Sequence, residues 1–352
     1  MSDHTRWLVL DLDRLPVGDD PLVVDARGLA DGAEPRLHDA GWARYLATPL
    51  GGGAGRRDGD PAIDLNDWRT RPGVRRAWIQ HDDMVLAGRA WPNGDPGFEA
   101  AGWRNGGDEL LLIGGPCSVE SAGQIDEVAA ACAAAGARWL RGGAYKPRTS
   151  PYEFQGLGAR GLEILRDAAD RHGLQVITEV VGIDELPAVA ACGDVLQVGA
   201  RNAQNFPLLR RLGETGKPVL LKRGFGCNLR ELVYAAEYIM AHGNPRVLLC
   251  ERGIRSFESA TRFTFDINAI PLLKQTSHLP VIADPSHGTG HAALVGPVAR
   301  AAVAAGCDGV MIEVHHDPAA ALSDGRQAVT LDELAPLVAS LRTVADAVGK
   351  RL

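Results

Sequence analysis

Cys117, His287, Glu313 and Asp324 supply one thiol, one imidazole and two carboxylates, a mixed soft and hard donor set that suits manganese, iron, cobalt or zinc better than calcium or magnesium. Arg141, Lys146, Arg148, Arg201, Lys222 and Arg252 add six cations, and cations gathered at one place need anions, because their mutual repulsion would weaken the fold. Two phosphate groups would balance them. Arg148 with Thr149 offers a guanidinium fork and a hydroxyl, the donors that phosphate oxygens take. Gly142 and Gly143, between Arg141 and Lys146, let the backbone come close to a ligand. Taken singly, each residue has a plainer reading. Cys117 in GGPCSVES fits a small packing residue, Asp324 in LSDGRQ an Asx turn, and KPRT a solvated turn. For the whole set the plain alternative is a structural salt-bridge network in which Glu179, Glu251 and Asp284 neutralise the cations.

What could bring these residues together is a repeated pattern. The apolar runs LLLIGG, WLRGGA, QVITEV, VLQVGA, PVLLKR, VLLCER, PVIADP and GVMIEV alternate with helix-like stretches, several closed by glycine. Eight such units predict an α/β fold, a (β/α)8 TIM barrel, whose active site lies at the carboxyl ends of the strands. The candidate residues stand at those ends. Closure of the barrel pairs the eighth strand with the first, so Cys117, His287, Glu313 and Asp324 become neighbours. His315, two residues beyond Glu313, is expected to turn inward and support a ligand. His172, His242 and His278 fall near helix ends, and Cys132, Cys192 and Cys307 read as helix core.

The barrel is assigned to residues 108–352, which is 245 residues against roughly 250 for the fold. Residues 1–107 form an N-terminal extension. There WLVLDLD and PLVVDARGL predict short strands, HDAGWARYLATPL a short helix, GGGAGRRDGD a flexible loop, and Met84 to Trp103 a hairpin that leads into the barrel and closes its bottom. A net charge of −7 and a pI near 5.8, with no basic stripe, argue against nucleic acid or an anionic membrane as partner. No run is long and apolar enough for a membrane helix, and the acidic start does not read as a secretory signal. A cytoplasmic protein is expected. Six dispersed cysteines without a CxxC pair predict reduced thiols and no structural zinc knuckle.

GGPCSVES, RGGAYKPRTSPYEFQGLG, ITEV, QVGARNAQNF, PVLLKRG, CERGIRSFE, ADPSHGTG and IEVHHDPAAALSDG together resemble the type I beta class of 3-deoxy-D-arabino-heptulosonate 7-phosphate synthase. The resemblance covers essentially all of the barrel. It implies a transferase that condenses phosphoenolpyruvate with erythrose 4-phosphate and water, releasing phosphate, at the entry to the shikimate pathway and aromatic amino acid biosynthesis. It implies that Cys117, His287, Glu313 and Asp324 hold a divalent metal. Arg201, Lys222 and Arg252, helped by Arg141 and Lys146, would hold phosphoenolpyruvate, and Arg148 with Thr149 the aldehyde's phosphate. Lys146 is the expected proton donor, Glu179 the residue that orients or deprotonates water, and a homo-oligomer, dimer or tetramer, the expected assembly.

This chain departs from the class at His316 (VHH for VHP), at Arg326 (SDGRQA for SDGPQS) and at RGFGCN beside Lys222 (for an RGM-type run). The N-terminal part resembles neither the class's ferredoxin-like regulatory domain nor a chorismate mutase appendage. Two rivals remain. One is a 3-deoxy-manno-octulosonate 8-phosphate synthase acting on arabinose 5-phosphate, which typically reads KANR where this chain reads KPRT. The other is a silent sugar-phosphate-binding barrel that regulates a partner such as chorismate mutase.

Overall fold

The computed structural model describes residues 6–16, 20–29, 35–40, 43–50, 63–80, 84–89, 99–148 and 150–352. Its N-terminal part runs β1 (Arg6–Leu12), α1 (Pro21–Gly28), β2 (Arg36–Asp39), β3 (Arg44–Leu50), α2 (Leu65–Thr70) and β4 (Val74–Gln80). The four strands form an antiparallel sheet in the order β2-β3-β1-β4. A β-α-β-β-α-β order on such a sheet is the ferredoxin-like arrangement, which corrects the expectation drawn from sequence.

Two local expectations fail with it. PLVVDARGL is not a strand: the Asp20 side chain caps the chain by accepting from Leu22 N at 3.0 Å, Pro21 sits at the first helical position, and Leu22, Val23 and Ala26 are buried at helical spacing. HDAGWARYLATPL is not a helix. Its two ends belong to β2 and β3, and Pro49, unfavourable inside a helix, lies opposite Trp7 of β1. The glycine-rich run lies outside the described residues.

Both faces of the sheet are buried. Leu8, Leu10 and Leu12 pack with Leu22, Val23, Ala26 and Trp68 of the two helices. Trp7, Val9, Tyr45 and Ala47 face the other way, into a core continuous with the outside of the barrel. His38 Nε2 lies 2.6 Å from the carbonyl of Ala241, at the end of barrel helix Leu229–Ala241, and Glu237 of the same helix accepts the amides of Leu86 and Ala87 at 2.8 and 2.7 Å.

The expected hairpin runs partly through residues 90–98, which lie outside the described residues. Its strands are β5 (Glu99–Ala100) and β6 (Trp103–Arg104), joined through Ala101 and Gly102, both at positive φ as a tight two-residue turn requires. It does close the bottom. Trp103 is buried edge-on against Trp139, with ring centroids 6.5 Å apart, and the Trp139 indole donates to the Ala101 carbonyl at 3.1 Å.

The barrel strands are β7 (Leu111–Gly115), β8 (Trp139–Arg141), β9 (Gln175–Val180), β10 (Val195–Val198), β11 (Val219–Lys222), β12 (Val247–Glu251), β13 (Val281–Ala283) and β14 (Gly309–Glu313), all parallel and closed by β14 against β7. Helices follow the strands and cover the outside. Alternation along each strand then decides which side chains reach the interior. Leu111, Ile113, Trp139, Ile177, Val195, Leu220, Leu248, Ile282 and Met311 fill it as one cluster, while Leu112, Leu140, Val176, Leu196, Leu221, Leu249, Val281 and Val310 face the helices. Two residues beyond the last inward apolar position come Arg141, Glu179, Gln197, Lys222, Asp284 and Glu313. The interior therefore changes from hydrocarbon to charge at the carboxyl end of the strands.

Candidate active site

Three of the four expected ligands converge. Donor atoms of Cys117, His287 and Glu313 all lie within 4.8 Å of one another, and all three residues are buried. Asp324 adjoins this group: its Oδ2 lies 3.3 Å from Cys117 Sγ, while Oδ1 pairs with Arg262 at 3.2 Å. The Asp324 backbone sits at φ 51°, a left-handed conformation that aspartate tolerates better than most residues.

Protonation follows from the surroundings. Asp284 caps the short helix Pro285–Thr289, lies 2.9 Å from His287 Nδ1, and meets the Lys222 ammonium at 2.5 Å. Burial opposes its charge, but His287 and Lys222 outweigh that and hold the carboxyl well below the carboxylate range. Burial lowers His287 well below the usual histidine range despite Asp284 beside it, with Lys222 and Arg141 adding to the effect. A neutral imidazole donating Nδ1–H to Asp284 turns its Nε2 lone pair toward Glu313, 3.4 Å away.

Burial raises the Cys117 thiol, although Lys146 opposes this. Glu313 is pushed up to about 7, again chiefly by burial, with Arg141 working against it and Asp324 adding to it. Its Oε2 accepts from Gln327 Nε2 at 3.0 Å, whereas Oε1 is buried with no hydrogen-bond partner among the described residues. Such an orphaned oxygen, beside a thiol and an imidazole Nε2 whose lone pair meets only Arg141 at a long 3.5 Å, fits a divalent cation.

Above this cluster opens a cavity of about 210 Å³, lined by Arg141, Lys146, Arg148, Arg201, Lys222 and Arg252 together with Pro147, Glu179 and Phe225. All six expected cations thus reach one space. Lys146 Nζ lies 3.0 Å from both the carbonyl oxygen and Sγ of Cys117, at the border between cavity and cluster. Arg141 donates to the Pro116 carbonyl at 3.0 Å and approaches Glu313 at 3.5 Å; burial opposes its charge, and the charges of Cys117, Glu313, Asp284 and Glu179 more than restore it. Arg148 is held by Glu153 at 2.6 Å. Glu179 accepts from Gln197 at 3.2 Å, and a Cβ at residue 199 would overlap its carboxylate, so a side chain there would displace it. Thr149 lies outside the described residues.

The salt-bridge alternative holds in part. Asp284 does neutralise Lys222, but Glu251 pairs with Arg223 at 2.8 Å, away from the mouth. Among the described residues no carboxylate comes within 4.0 Å of the Arg252 guanidinium. His315 is buried as expected, yet it does not touch Glu313. Its Nδ1 accepts from Asp317 N at 3.0 Å and its Nε2 lies 3.4 Å from Glu120, whose carboxylate also accepts from Leu322 N, so the pair braces the loop that carries Asp324. Of the departures, His316 is exposed and Arg326 lines a neighbouring open cavity with Arg262 and His291, whereas Phe225 of RGFGCN lines the mouth itself.

Gln197, Gln327 and Arg262 are absent from the sequence expectation, and Asp284 entered it only as a neutraliser. Alternation could have found Gln197, two residues after inward-facing Val195. Gln327 and Arg262 stand on loops where no periodic signal exists.

A parallel barrel whose mouth joins a soft and hard donor set to a ring of cations is that of an enzyme acting on phosphorylated, anionic substrates. The sequence profile of the DAHP synthetase I family matches residues 95–348, and the chain belongs to that family. It is 51% identical over 247 residues to a phospho-2-dehydro-3-deoxyheptonate aldolase of Thermotoga maritima, covering 70% of this chain and 73% of that protein. A 2-dehydro-3-deoxyphosphooctonate aldolase of Koribacter versatilis is 37% identical over 264 residues, covering 69% and 94%. Among solved structures, the phospho-2-dehydro-3-deoxyheptonate aldolase (DAHP synthase) of Thermotoga maritima superposes with a TM-score of 0.77 at 39% identity, covering 99% of both chains. A truncated form of the 3-deoxy-D-arabino-heptulosonate 7-phosphate synthase of that organism gives 0.71 at 45% identity, covering 76% of this chain and 98% of that one.

Proposed function

We infer that this mouth condenses phosphoenolpyruvate with erythrose 4-phosphate and water to give 3-deoxy-D-arabino-heptulosonate 7-phosphate and phosphate, the first step of the shikimate pathway. The observation that carries the inference is the convergence of six cations on one cavity whose floor is the Cys117, His287 and Glu313 cluster. In this reading Arg201, Lys222 and Arg252, with Arg141 and Lys146, hold phosphoenolpyruvate, while Arg148 and Thr149 take the phosphate of the aldehyde. Cys117, His287, Glu313 and Asp324 hold a divalent ion, manganese, iron, cobalt or zinc, which supplies Lewis acidity toward the aldehyde oxygen.

When C3 of phosphoenolpyruvate attacks the aldehyde, the new alkoxide needs a proton, and Lys146 stands at the cluster to deliver it. Glu179 orients or deprotonates the water that adds at C2. The tetrahedral intermediate then expels phosphate by C–O cleavage. Holding two phosphorylated reactants in register is the cations' main contribution, since aligned reactants can gain on the order of 7 kcal/mol over free encounter. We place the enzyme in the cytoplasm as a homo-oligomer, with residues 1–107 appended to a catalytic unit of 108–352. Among the described residues no helix is long and apolar enough to cross a membrane.

Pro147 argues for the four-carbon aldose. It lacks an amide hydrogen, biases Lys146 toward an extended backbone, and fills space at the cavity wall that a longer sugar would need. Phosphate release is therefore expected to favour erythrose 4-phosphate over arabinose 5-phosphate by at least about tenfold in kcat/KM, about 1.4 kcal/mol. Equal use of the two, at saturating phosphoenolpyruvate and fixed metal, would reject the substrate.

A further inference from the structure

Lys222 ends the fifth barrel strand, and the loop after it places one aromatic ring, Phe225, among three guanidiniums. The Cζ atoms of Arg252, Arg255 and Arg201 lie 5.0, 5.3 and 5.4 Å from its centroid. A second ring, Phe263, stacks on the first with centroids 5.0 Å apart and planes 12° from parallel, and Arg252 lies 4.0 Å over it. Both rings stand on anchored backbone. The Phe225 carbonyl accepts from Arg255 N at 2.8 Å, Cys227 N closes the turn onto Gly224 at 3.1 Å, and Phe263 N donates to the Gly288 carbonyl at 3.1 Å. Phe225 lines the mouth cavity beside Arg201 and Arg252.

Arg252 poses a physical problem that these rings answer. It is buried, no described carboxylate pairs with it, and its two hydrogen bonds, to the carbonyls of Gly253 and His287, are long at 3.4 Å. A carboxylate partner would stabilise the charge but would take N–H donors and cancel the attraction for an anion. A ring face attracts the cation electrostatically and leaves its N–H groups unspent.

We propose that Phe225, backed by Phe263, is a positioning residue for phosphoenolpyruvate: the stacked rings hold Arg252 in place, beside Arg201, while leaving the donors of Arg252 for the substrate's anionic groups. This rests on the reading that those two arginines hold phosphoenolpyruvate. The RGFGCN run is thus a working departure from the RGM-type sequence, with an aromatic ring in the place of a flexible side chain.

Steady-state kinetics of the full-length, metal-loaded enzyme test it through the variants Phe225→Leu, Phe225→Tyr and Phe263→Leu. Leucine keeps apolar bulk and removes the ring; tyrosine keeps the ring. Phe225→Leu should raise KM for phosphoenolpyruvate about tenfold, with kcat and KM for erythrose 4-phosphate changed by less than about threefold, since the lost interaction serves binding in both ground and transition states. Phe225→Tyr should restore the wild-type KM to within about threefold, and Phe263→Leu should shift it in the same direction as Phe225→Leu. An unchanged KM for phosphoenolpyruvate in both leucine variants, or a tyrosine variant as impaired as leucine, overturns the proposal. Arg252→Ala separates the two levels: if it raises only the KM for erythrose 4-phosphate, the assignment of Arg252 beneath the proposal is itself wrong.

Discussion

One buried carboxylate, Asp284, governs two neighbours at once: it neutralises Lys222 and fixes which nitrogen of His287 carries the proton. Removing its charge while keeping its shape should act on the cluster before it acts on the fold. Asp284→Asn is expected to lower divalent-ion affinity by about 10- to 100-fold, because the imidazole loses the anionic acceptor that orients it and raises its basicity. Competition with a chromogenic chelator measures this, and unchanged affinity would show that Asp284 serves only Lys222. The same variant leaves a buried ammonium without its partner, so a loss of stability of about 3–5 kcal/mol should accompany it. Gly199 makes the reverse point about space, since any side chain there would displace the Glu179 carboxylate.

Elements explain which parts of this arrangement could be read from sequence. The barrel was legible because each strand is a short apolar run closed by a polar or charged residue, which barrel closure places at the mouth. Arg141, Lys222 and Glu313 were found in that way. The N-terminal sheet was not, because β1, β3 and β4 are defined by pairing with one another across many residues rather than by their own pattern. Within it, an N-cap aspartate followed by proline at residues 20 and 21 outweighed the β-branched pair Val23 and Val24 that suggested a strand. Arg262 and Gln327 escaped notice for a related reason, since loops carry no period. The β5–β6 hairpin gives this scale its test. Trp103 plugs the barrel end opposite the mouth, so Trp103→Ala should cost about 3–5 kcal/mol, lowering the melting temperature by roughly 6–20 °C. At a temperature where the variant is folded, kcat should stay near wild type. A large fall in kcat with an unchanged melting temperature would mean that the floor shapes the mouth directly.

Across the whole molecule, a net charge of −7 surrounds a mouth lined by the six expected cations and by Arg262, so the attraction for phosphorylated substrates is local to the cavity. The N-terminal sheet and its helices contribute none of the residues that line that cavity. All eight barrel strands supply the mouth or its immediate supports, which makes the site a property of barrel closure. The central claim is that this closure assembles a metal-dependent condensing centre, and phosphate release from phosphoenolpyruvate and erythrose 4-phosphate, before and after metal removal, tests it most directly. Chelation should abolish release, and manganese, cobalt or zinc should restore it in the native chain but not in Cys117→Ala. Full activity in a sample verified to be metal-free would contradict the account.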